Sequence, residues 1–348
     1  MYQLLPILLA GLAFPLSSQT SPTNPTSNPN LNLVMKPADL VRTVYQSNAD
    51  WIENQYVLPH GHILLSTLQS GSVFILDPNA RAPRPKRLVT LGGSTQVLGI
   101  TSLGSGLYAA IGGNQKPVGF EILNPAVYVF KLDGTLVKSL PGPASGSFLN
   151  GLTSLPNKSH IALSTDSIGG KIYRFNTMTN QVTVAVSDPA LDPAKDPNAE
   201  LPLGANGIKI RGDYLFFTNT YKGTFARFKI NAYGSKVGRV EVLAQLPLPT
   251  GFKNHFDDFA FDHEGNAYIA QAYQTILKVT PRGAKSVVPG TGEPDSKTRN
   301  PTSVGFAKDG KSIFVTTGTS TDAAGTFYAG GVFKIPIYGG KGRKGVSI

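Results

Sequence analysis

A short alternating run of apolar, aromatic and charged residues recurs six times along this chain, at steps of about 50 residues. Each copy follows another apolar run and a turn, and the copies lie at residues 72–77, 126–131, 171–176, 224–229, 275–279 and 331–335. A recurrence at this period is typical of repeat architectures, in which every repeat forms one unit of supersecondary structure. The sequence therefore predicts six similar structural units.

The pattern inside each repeat is that of β-strands. Apolar and aromatic residues alternate with polar ones, which places the two kinds on opposite faces of a strand. The 38 Gly and 26 Pro residues supply turns between short strands, and signals for helix ends are almost absent. About four short strands fit into one repeat, as in the blades of a propeller. We therefore predict an all-β fold, a six-bladed β-propeller with four-stranded blades.

The two ends of the repeat region predict how the ring is completed. No further strand follows the last repeated run, whereas residues 40–45 form an unmatched apolar run before the first repeat. Propellers protect their sheet edges. We therefore predict that the early strand completes the last blade and closes the ring, so that truncation ahead of Tyr45 unfolds the protein.

Outside the repeats, the chain divides into segments of distinct composition. Residues 1–18 hold an apolar stretch too short to span a bilayer comfortably, which is typical of a secretory signal peptide. Residues 19–38 are rich in Ser, Thr, Pro and Asn, and a disordered linker is predicted there. Residues 39–340 are predicted to form one propeller domain and residues 341–348 a basic tail. The predicted location is the secretory pathway or the extracellular space, without stable membrane insertion.

Composition limits the partners and the chemistry. The chain has no cysteine, which excludes thiol catalysis and disulfides. Its formal charge of +11 is spread over the repeats, which favours solvated turns over a nucleic-acid surface. We expect a small hydrophobic substrate as the partner, no nucleic acid, and a monomer or weak dimer. One glycosylation sequon begins at Asn157, in a polar turn.

Polar residues stand near the start of four repeats, where the first strand of a blade lines the central channel. They are Glu53 and Asn54, Asn150, Asn206, and Asp257 with Asp258. Carboxylate and amide oxygens gathered on one axis suit Ca²⁺ better than Zn²⁺, which prefers His and Cys. Turn formation is the alternative explanation for any one of these sites. Their common position in four repeats favours a site for calcium or a polar ligand.

The same residues, with Gly-Leu after Asn150 and Gly-Ile after Asn206, resemble the metal-site pattern of the regucalcin/gluconolactonase-like six-bladed propellers. Paraoxonases share a similar set. The resemblance covers residues from about 40 to 340 and is specific only at these places. It implies a calcium site at the propeller axis, with these ligands: Glu53, Asn150, Asn206 and Asp257. It also implies that Asn150 contacts substrate and that Asn54 and Asp258 support the site.

The chain departs from the gluconolactonase pattern because Trp51 stands ahead of Glu53 instead of beyond it. Trp-Ile-Glu-Asn at 51–54, Asp-Asp-Phe-Ala at 257–260 and Phe-Phe-Thr-Asn-Thr at 216–220 resemble a secreted fungal branch of the superfamily. That branch includes hetero-Diels–Alderases of tropolone sesquiterpenoid biosynthesis. The resemblance implies an enzyme of secondary metabolism that needs no organic cofactor.

One histidine and several aromatic residues accompany the polar positions. His255 lies two residues before Asp257, where it can relay protons, whereas His60, His62 and His263 lie in turns and His160 stands apart from these positions. The candidate catalytic residues are His255, Asp258, Tyr221 and Tyr273. The candidate substrate-binding residues are Trp51, Asn54, Asn150, Phe148 and Phe256. Ordinary blade packing is the alternative for each aromatic side chain.

Three functions are compatible with these sequence features. The first is dehydration of a polyketide-derived precursor to a quinone methide, followed by cycloaddition with a terpene alkene. The second is calcium-dependent hydrolysis of a lactone, as in gluconolactonases and paraoxonases. The third is a propeller that binds a ligand without turning it over. No nucleophile-elbow pattern for a serine hydrolase is present.

Overall fold

The computed structural model describes residues 37–116, 119–143 and 147–337. The predicted signal peptide, the basic tail and all but the last two residues of the predicted linker lie outside these ranges. The described chain begins with a 3₁₀ turn at Pro37–Leu40, and a second one lies at Pro189–Leu191. Within the described ranges, no helix is long and apolar enough to cross a bilayer.

The strands form six four-stranded sheets in chain order. Strand β1 is Arg42–Gln46. Blade 1 holds β2 (Ile52–Val57), β3 (Ile63–Thr67), β4 (Ser70–Leu76) and β5 (Lys86–Thr90); blade 2 holds β6 (Gln96–Gly104), β7 (Leu107–Gln115), β8 (Ile122–Lys131) and β9 (Leu136–Pro141). Blade 3 holds β10 (Leu149–Leu155), β11 (Lys158–Asp166), β12 (Lys171–Asn176) and β13 (Gln181–Ser187); blade 4 holds β14 (Ala205–Arg211), β15 (Tyr214–Asn219), β16 (Thr224–Lys229) and β17 (Glu241–Gln245).

The last two blades complete the series. Blade 5 holds β18 (Phe256–Phe261), β19 (Ala267–Gln271), β20 (Thr275–Val279) and β21 (Lys285–Val287). Blade 6 holds β22 (Pro301–Phe306), β23 (Ser312–Thr317) and β26 (Gly331–Pro336), and a short hairpin of β24 (Ser320–Thr321) and β25 (Phe327–Tyr328) is inserted before β26. All neighbouring strands pair antiparallel, so the predicted propeller with six four-stranded blades is confirmed.

The N-terminal strand supplies the fourth strand of blade 6. Strand β1 pairs antiparallel with β26, with Arg42 opposite Lys334 and Gln46 opposite Gly331. Val44 of β1 is buried against the core between blades 6 and 1. The edge of β26 is thereby covered by a strand from the other end of the chain, as the unmatched apolar run at residues 40–45 predicts.

The repeated run of the sequence is the third strand of each blade. Its equivalent apolar positions are at most 1% exposed in all six blades: Val73, Val127, Ile172, Phe225, Ile276 and Val332. These side chains pack into clusters that join each blade to its neighbours. The repeat period is therefore the number of residues between equivalent buried positions in successive blades.

Antiparallel pairing divides the connections between two faces of the ring. The starts of the innermost strands β2, β6, β10, β14, β18 and β22 lie on one face, together with the loops after each second and fourth strand. We call this the mouth face and the opposite one the lower face. His255 lies on the mouth face, directly before β18, whereas His60, His62, His160 and His263 lie at the lower face.

Candidate functional site

Each innermost strand carries a two-residue bulge one or two residues in from its mouth end. Two residues there stand opposite a single residue of the second strand. The six pairs are Glu53 with Asn54, Leu98 with Gly99, Asn150 with Gly151, Asn206 with Gly207, Asp257 with Asp258, and Thr302 with Ser303. We call the first members the axial ring. The four predicted metal ligands thus occupy equivalent positions in blades 1, 3, 4 and 5.

Glycine at the second bulge position allows adjacent blades to approach closely. A Cβ atom on Gly151 would lie 2.5 Å from the Asn206 carbonyl oxygen, and one on Gly99 would lie 2.5 Å from the Asn150 carbonyl oxygen. Both distances are shorter than any van der Waals contact. Glycine is therefore required there for backbone packing, which is a different reason from the turn formation that Asn-Gly pairs indicate in a sequence.

Hydroxyl groups of the second strands tie successive bulges together. Thr165 accepts a hydrogen bond from the Gly151 N–H and donates to the carbonyl of Asn206 in the next blade. Thr218 repeats the arrangement, accepting from Gly207 and donating to the carbonyl of Asp257 at 2.7 Å. The backbone of the axial ring is therefore held by hydrogen bonds between blades, which fixes the points from which its side chains project.

The two asparagine side chains of the ring are oriented by their own blades. Asn150 Nδ2 donates to Ser167 Oγ at 3.3 Å, and Asn206 Nδ2 donates to Thr220 Oγ1 at 3.0 Å. Because each Nδ2 donates to its own blade, the side-chain Oδ1 atoms of Asn150 and Asn206 are available to accept from other groups. Asn206 Oδ1 is buried and has no hydrogen-bond partner, which is unfavourable unless a cation or donor binds it.

The two carboxyl groups of the ring, Glu53 and Asp257, have raised pKa values and so keep their protons to higher pH than ordinary carboxyls. Burial raises the pKa of Glu53 from 4.5 to about 7, opposed by a hydrogen bond from Trp51 and assisted by the charge of Asp258. Burial likewise raises the pKa of Asp257 well above its usual value, and the nearby carboxyls of Glu53 and Asp258 raise it further. The ring therefore tends to bind either protons or a cation at neutral pH.

Asp258 belongs to a separate, fully paired network. The Asp258 side chain is 3% exposed. Lys209 Nζ donates to both of its carboxylate oxygens, at 2.6 and 2.7 Å. Asn54 Nδ2 donates to the same carboxylate at 3.0 Å, and the Phe259 N–H donates at 2.8 Å. The structure thus places Asp258 and Asn54 in a supporting ion-pair network, where the carboxylate is an acceptor and not a proton donor.

His255 is held as a neutral imidazole at the channel mouth. Its Nδ1 lies 2.9 Å from the Gly251 carbonyl oxygen, which assigns the proton to Nδ1 and the lone pair to Nε2. Burial lowers the pKa of the ring, opposed by that hydrogen bond. The side chain is 8% exposed, so Nε2 is available as a base only to a molecule bound at the mouth.

The predicted aromatic residues fall in three different environments. Trp51 Nε1 donates to Glu53 Oε2 at 2.6 Å, and its ring covers Gly318, where a Cβ would lie 2.6 Å away. Phe148 occupies in blade 3 the position that Trp51 has in blade 1, and it is buried in the core cluster around β6–β12. Tyr221 is half-buried in the mouth-face turn after β15. Tyr273 is 61% exposed in the turn after β19, with φ of 70°.

Phe256 does not line a pocket in this structure. Its side chain is 0% exposed and packs among Phe216, Phe225 and Phe259 in the core of blades 4 and 5. The assignment of Phe256 to substrate binding is therefore corrected, because its position in β18 alternates with the axial ring and faces between blades. The channel-facing neighbour is His255.

Two residues of the site carry no motif in the sequence. Thr302 is the axial-ring residue of blade 6, and its hydroxyl donates to the Ile52 carbonyl at 2.7 Å. Gln96 occupies the position equivalent to Trp51, is 1% exposed, and has a buried Nε2 without a partner. Only the alignment of the bulges reveals these positions, since neither residue belongs to an acidic or Asn-Gly pair.

A separate groove lies away from the channel. A groove of about 500 Å³ between blades 4 and 5, at the lower face, is lined by Arg227, Phe216, Phe261 and neighbours. Arg227 is already paired with Glu241 at 2.9 Å. The groove has none of the acid and base groups of the mouth, so its size alone does not make it the reactive site.

The donor chemistry of the axial ring fits a hard cation. Within residues 37–116, 119–143 and 147–337, no three His, Cys, Asp or Glu side chains are grouped as metal ligands. The ring instead combines two carboxyls with two amide oxygens, one of which is the partnerless Asn206 Oδ1. An all-oxygen set with flexible geometry suits Ca²⁺.

Sequence comparison connects the chain to two fungal proteins whose names propose hetero-Diels–Alderase activity. It is 24% identical to asR5 of Sarocladium schorii over 313 residues, which cover 77% of this chain and 75% of asR5. It is 25% identical to a protein of a Phoma species over 303 residues, which cover 78% and 84% of the two chains. No protein-family model matches the chain.

Solved structures share the fold at lower identity. Regucalcin of Agrobacterium tumefaciens, a calcium-binding protein, superposes with a TM-score of 0.57 at 15% identity, covering 84% of this chain and 92% of its own. A gluconolactonase of Xanthomonas campestris superposes with a TM-score of 0.59 at 13% identity, covering 85% and 89%. The chain is thus a six-bladed propeller that resembles hetero-Diels–Alderases in sequence and regucalcin and gluconolactonase in fold.

Proposed function

We propose that this protein dehydrates an oxygen-bearing aromatic precursor of polyketide type to a quinone methide and directs its cycloaddition with a terpene alkene. One observation carries the proposal: the channel mouth combines Glu53, an acid with a pKa of about 7, with His255, a buried neutral imidazole. Environments that raise the pKa of an acid and lower that of a base are typical of acid and base pairs that work near neutral pH. The names of the two sequence relatives support the same reaction class.

The dehydration needs one proton donor and one acceptor. His255 Nε2 takes the proton of the phenolic hydroxyl, and protonated Glu53 gives its proton to the benzylic hydroxyl. The benzylic C–O bond breaks, water leaves, and the ring electrons rearrange to a neutral quinone methide. Solvent then returns the proton from His255 to Glu53, so that the protein is unchanged.

The cycloaddition needs positioning more than covalent chemistry. The quinone-methide oxygen and its terminal carbon form one C–O and one C–C bond with the alkene, and no atom of the protein is consumed. Holding the two reactants in a near-attack geometry lowers the barrier by up to about 7–11 kcal/mol. The fixed axial ring and the Trp51 ring limit the orientations available to the aromatic reactant.

The test uses an ortho-hydroxybenzyl alcohol and an excess of an electron-rich alkene. Quinone methides also react without a catalyst, so the readout is the enantiomer ratio of the adduct together with the rate. The wild type should give one enantiomer in excess, and the rate should fall as the pH rises through about 7, because Glu53 then loses its proton. A racemic adduct at the uncatalysed rate would refute the proposal.

Two substitutions locate the chemistry within the mouth. Glu53→Gln keeps an acceptor for Trp51 but has no proton to give, and His255→Gln removes the base. Each should lower the catalysed rate about 100-fold. Glu293→Gln, at an exposed carboxyl, is the matched control and should retain the wild-type rate.

The partnerless Asn206 Oδ1 favours a second candidate, calcium-dependent lactone hydrolysis. Glu53, Asn150, Asn206 and Asp257 would hold the ion, which would polarise a lactone carbonyl when bound. His255 Nε2 would then take a proton from the attacking water. Hydrolysis of a panel of apolar lactones that disappears with a calcium chelator would establish this function. Ligand binding without turnover in both assays would instead support a binding propeller.

A further inference from the structure

Three large apolar side chains project into solvent beside His255. Leu248 and Phe252, in the loop of residues 247–254, are 68% and 60% exposed, and Tyr273, in the turn after β19, is 61% exposed. Both connections lie on the mouth face. We call these three residues the apolar lip. Single exposed apolar residues are ordinary, but three on adjacent turns at a candidate site are not.

The loop that carries the lip is fixed by its own polar groups. The Thr250 hydroxyl donates to the Tyr221 carbonyl, and Asn254 Nδ2 donates to the Pro247 carbonyl at 2.7 Å. Glu200, from the preceding loop, accepts the Phe252 N–H at 3.2 Å. Hydrogen bonds of polar groups thus hold the loop in place, while the side chains of Leu248 and Phe252 are left in water.

The lip is continuous with the proposed base. Gly251, next to Phe252, supplies the carbonyl that binds His255 Nδ1, and the Ala272 N–H, next to Tyr273, donates to the His255 carbonyl at 2.9 Å. Lys253 Nζ lies 6.0 Å from the centre of the Tyr273 ring, which joins the two turns. Both turns of the lip therefore border His255 through hydrogen bonds of their backbone.

We propose that the apolar lip binds the hydrocarbon portion of the substrate, a terpene-like chain or ring, while the oxygen-bearing portion lies at His255. This inference rests on the proposed function for the position of the reactive group. Lys253 is the one charged residue of the loop 247–254, and its ammonium is engaged with Tyr273. The Glu200 carboxylate beside Phe252 is negative and does not attract an anion. The chemistry of the lip therefore suits an uncharged branched hydrocarbon better than an anionic ligand.

Equilibrium binding of a series of uncharged terpene alcohols tests the lip without requiring turnover. The probes are prenol, geraniol and farnesol, with five, ten and fifteen carbons, measured by titration calorimetry. Affinity should rise at least tenfold from geraniol to farnesol, because the longer chain reaches the lip. Trp51 is the only tryptophan of the chain, so a change in its emission reports that the probe occupies the mouth.

Substitutions of Phe252 separate the lip from the rest of the mouth. Phe252→Ser should weaken farnesol binding about tenfold and geraniol binding less than twofold, whereas Phe252→Leu should keep farnesol affinity within about threefold. Val237→Ser, at a 62% exposed apolar residue of the lower face, is the matched control and should bind like the wild type. The side chain of Phe252 is mostly in solvent, so these variants should retain the wild-type melting temperature.

Two results would overturn the inference. One is farnesol affinity that is the same in Phe252→Ser as in the wild type. The other is binding to neutral phosphatidylcholine vesicles that is lost in Phe252→Ser while farnesol affinity is unchanged, which would make the lip a lipid contact. A protein that binds farnesol through Phe252 but yields no cycloadduct would refute the proposed function and leave this inference standing.

Discussion

Replacing Glu53 by Gln should stabilise the protein at alkaline pH relative to the wild type. The folded state holds the Glu53 proton more tightly than the unfolded chain, since burial raises its pKa from 4.5 to about 7. A carboxyl with a raised pKa contributes stability when protonated. That contribution is lost as the pH rises from about 4.5 through about 7, where the unfolded state has already released its proton.

The magnitude follows from the two pKa values. At about 1.4 kcal/mol per unit of pKa, the difference between 4.5 and about 7 corresponds to about 3 kcal/mol when both states are fully ionised. Roughly 1 kcal/mol of this is already lost at pH 5, so the remaining change between pH 5 and pH 8 is about 2 kcal/mol. The glutamine side chain of the variant does not titrate and still accepts the Trp51 hydrogen bond, so the variant should not show this loss.

The assay is urea unfolding of both proteins at intervals from pH 5 to pH 8, with a chelator present so that no cation compensates the carboxylates. The free energy of unfolding of Glu53→Gln, minus that of the wild type, should grow by about 2 kcal/mol over this range. Glu293→Gln, an exposed control, should follow the wild type at every pH. If the Glu53→Gln difference stays constant within about 0.5 kcal/mol, the argument from burial is wrong.

Three further changes test the parts of the fold that hold the site. Lys209→Met should destabilise the protein by about 3 kcal/mol in urea unfolding, because it leaves the buried Asp258 carboxylate unpaired. Gly151→Ala should destabilise it by about 2 kcal/mol in the same assay, because the new Cβ would meet the Asn206 carbonyl at 2.5 Å. Deletion of residues 1–46 should abolish the cooperative melting transition seen by circular dichroism, because blade 6 loses its outer strand.

Each of these changes has a matched control. Lys236→Met breaks a more exposed ion pair with Asp188 and should reduce stability by about 1 kcal/mol or less. Gly92→Ala adds a Cβ with no heavy atom within 4 Å and should be neutral. Deletion of residues 1–36 keeps β1 and should melt like the full chain. If a variant and its control lose the same stability, the contact proposed as the cause is not responsible.

The sequence by itself determined the architecture. The spacing of the apolar runs fixed six blades, because each run is a third strand that must be buried between neighbours. The unmatched run at residues 40–45 located the outer strand of blade 6 within one or two residues of Arg42–Gln46. Local alternation and a long period are both visible in one dimension, so these features needed no structure.

The tertiary structure decided which side chains face the axis. A two-residue bulge shifts the alternation of the innermost strands, so adjacent carboxyls separate: Asp257 joins the axial ring while Asp258 pairs with Lys209 of the neighbouring blade. No sequence pattern links Lys209 to Asp258, because the contact joins two repeats. Alternation ahead of the bulge buries Phe256, and the bulge of β22 brings Thr302 to the ring. Packing between blades therefore decides which side chains belong to the axial ring, and the sequence of one repeat does not contain that information.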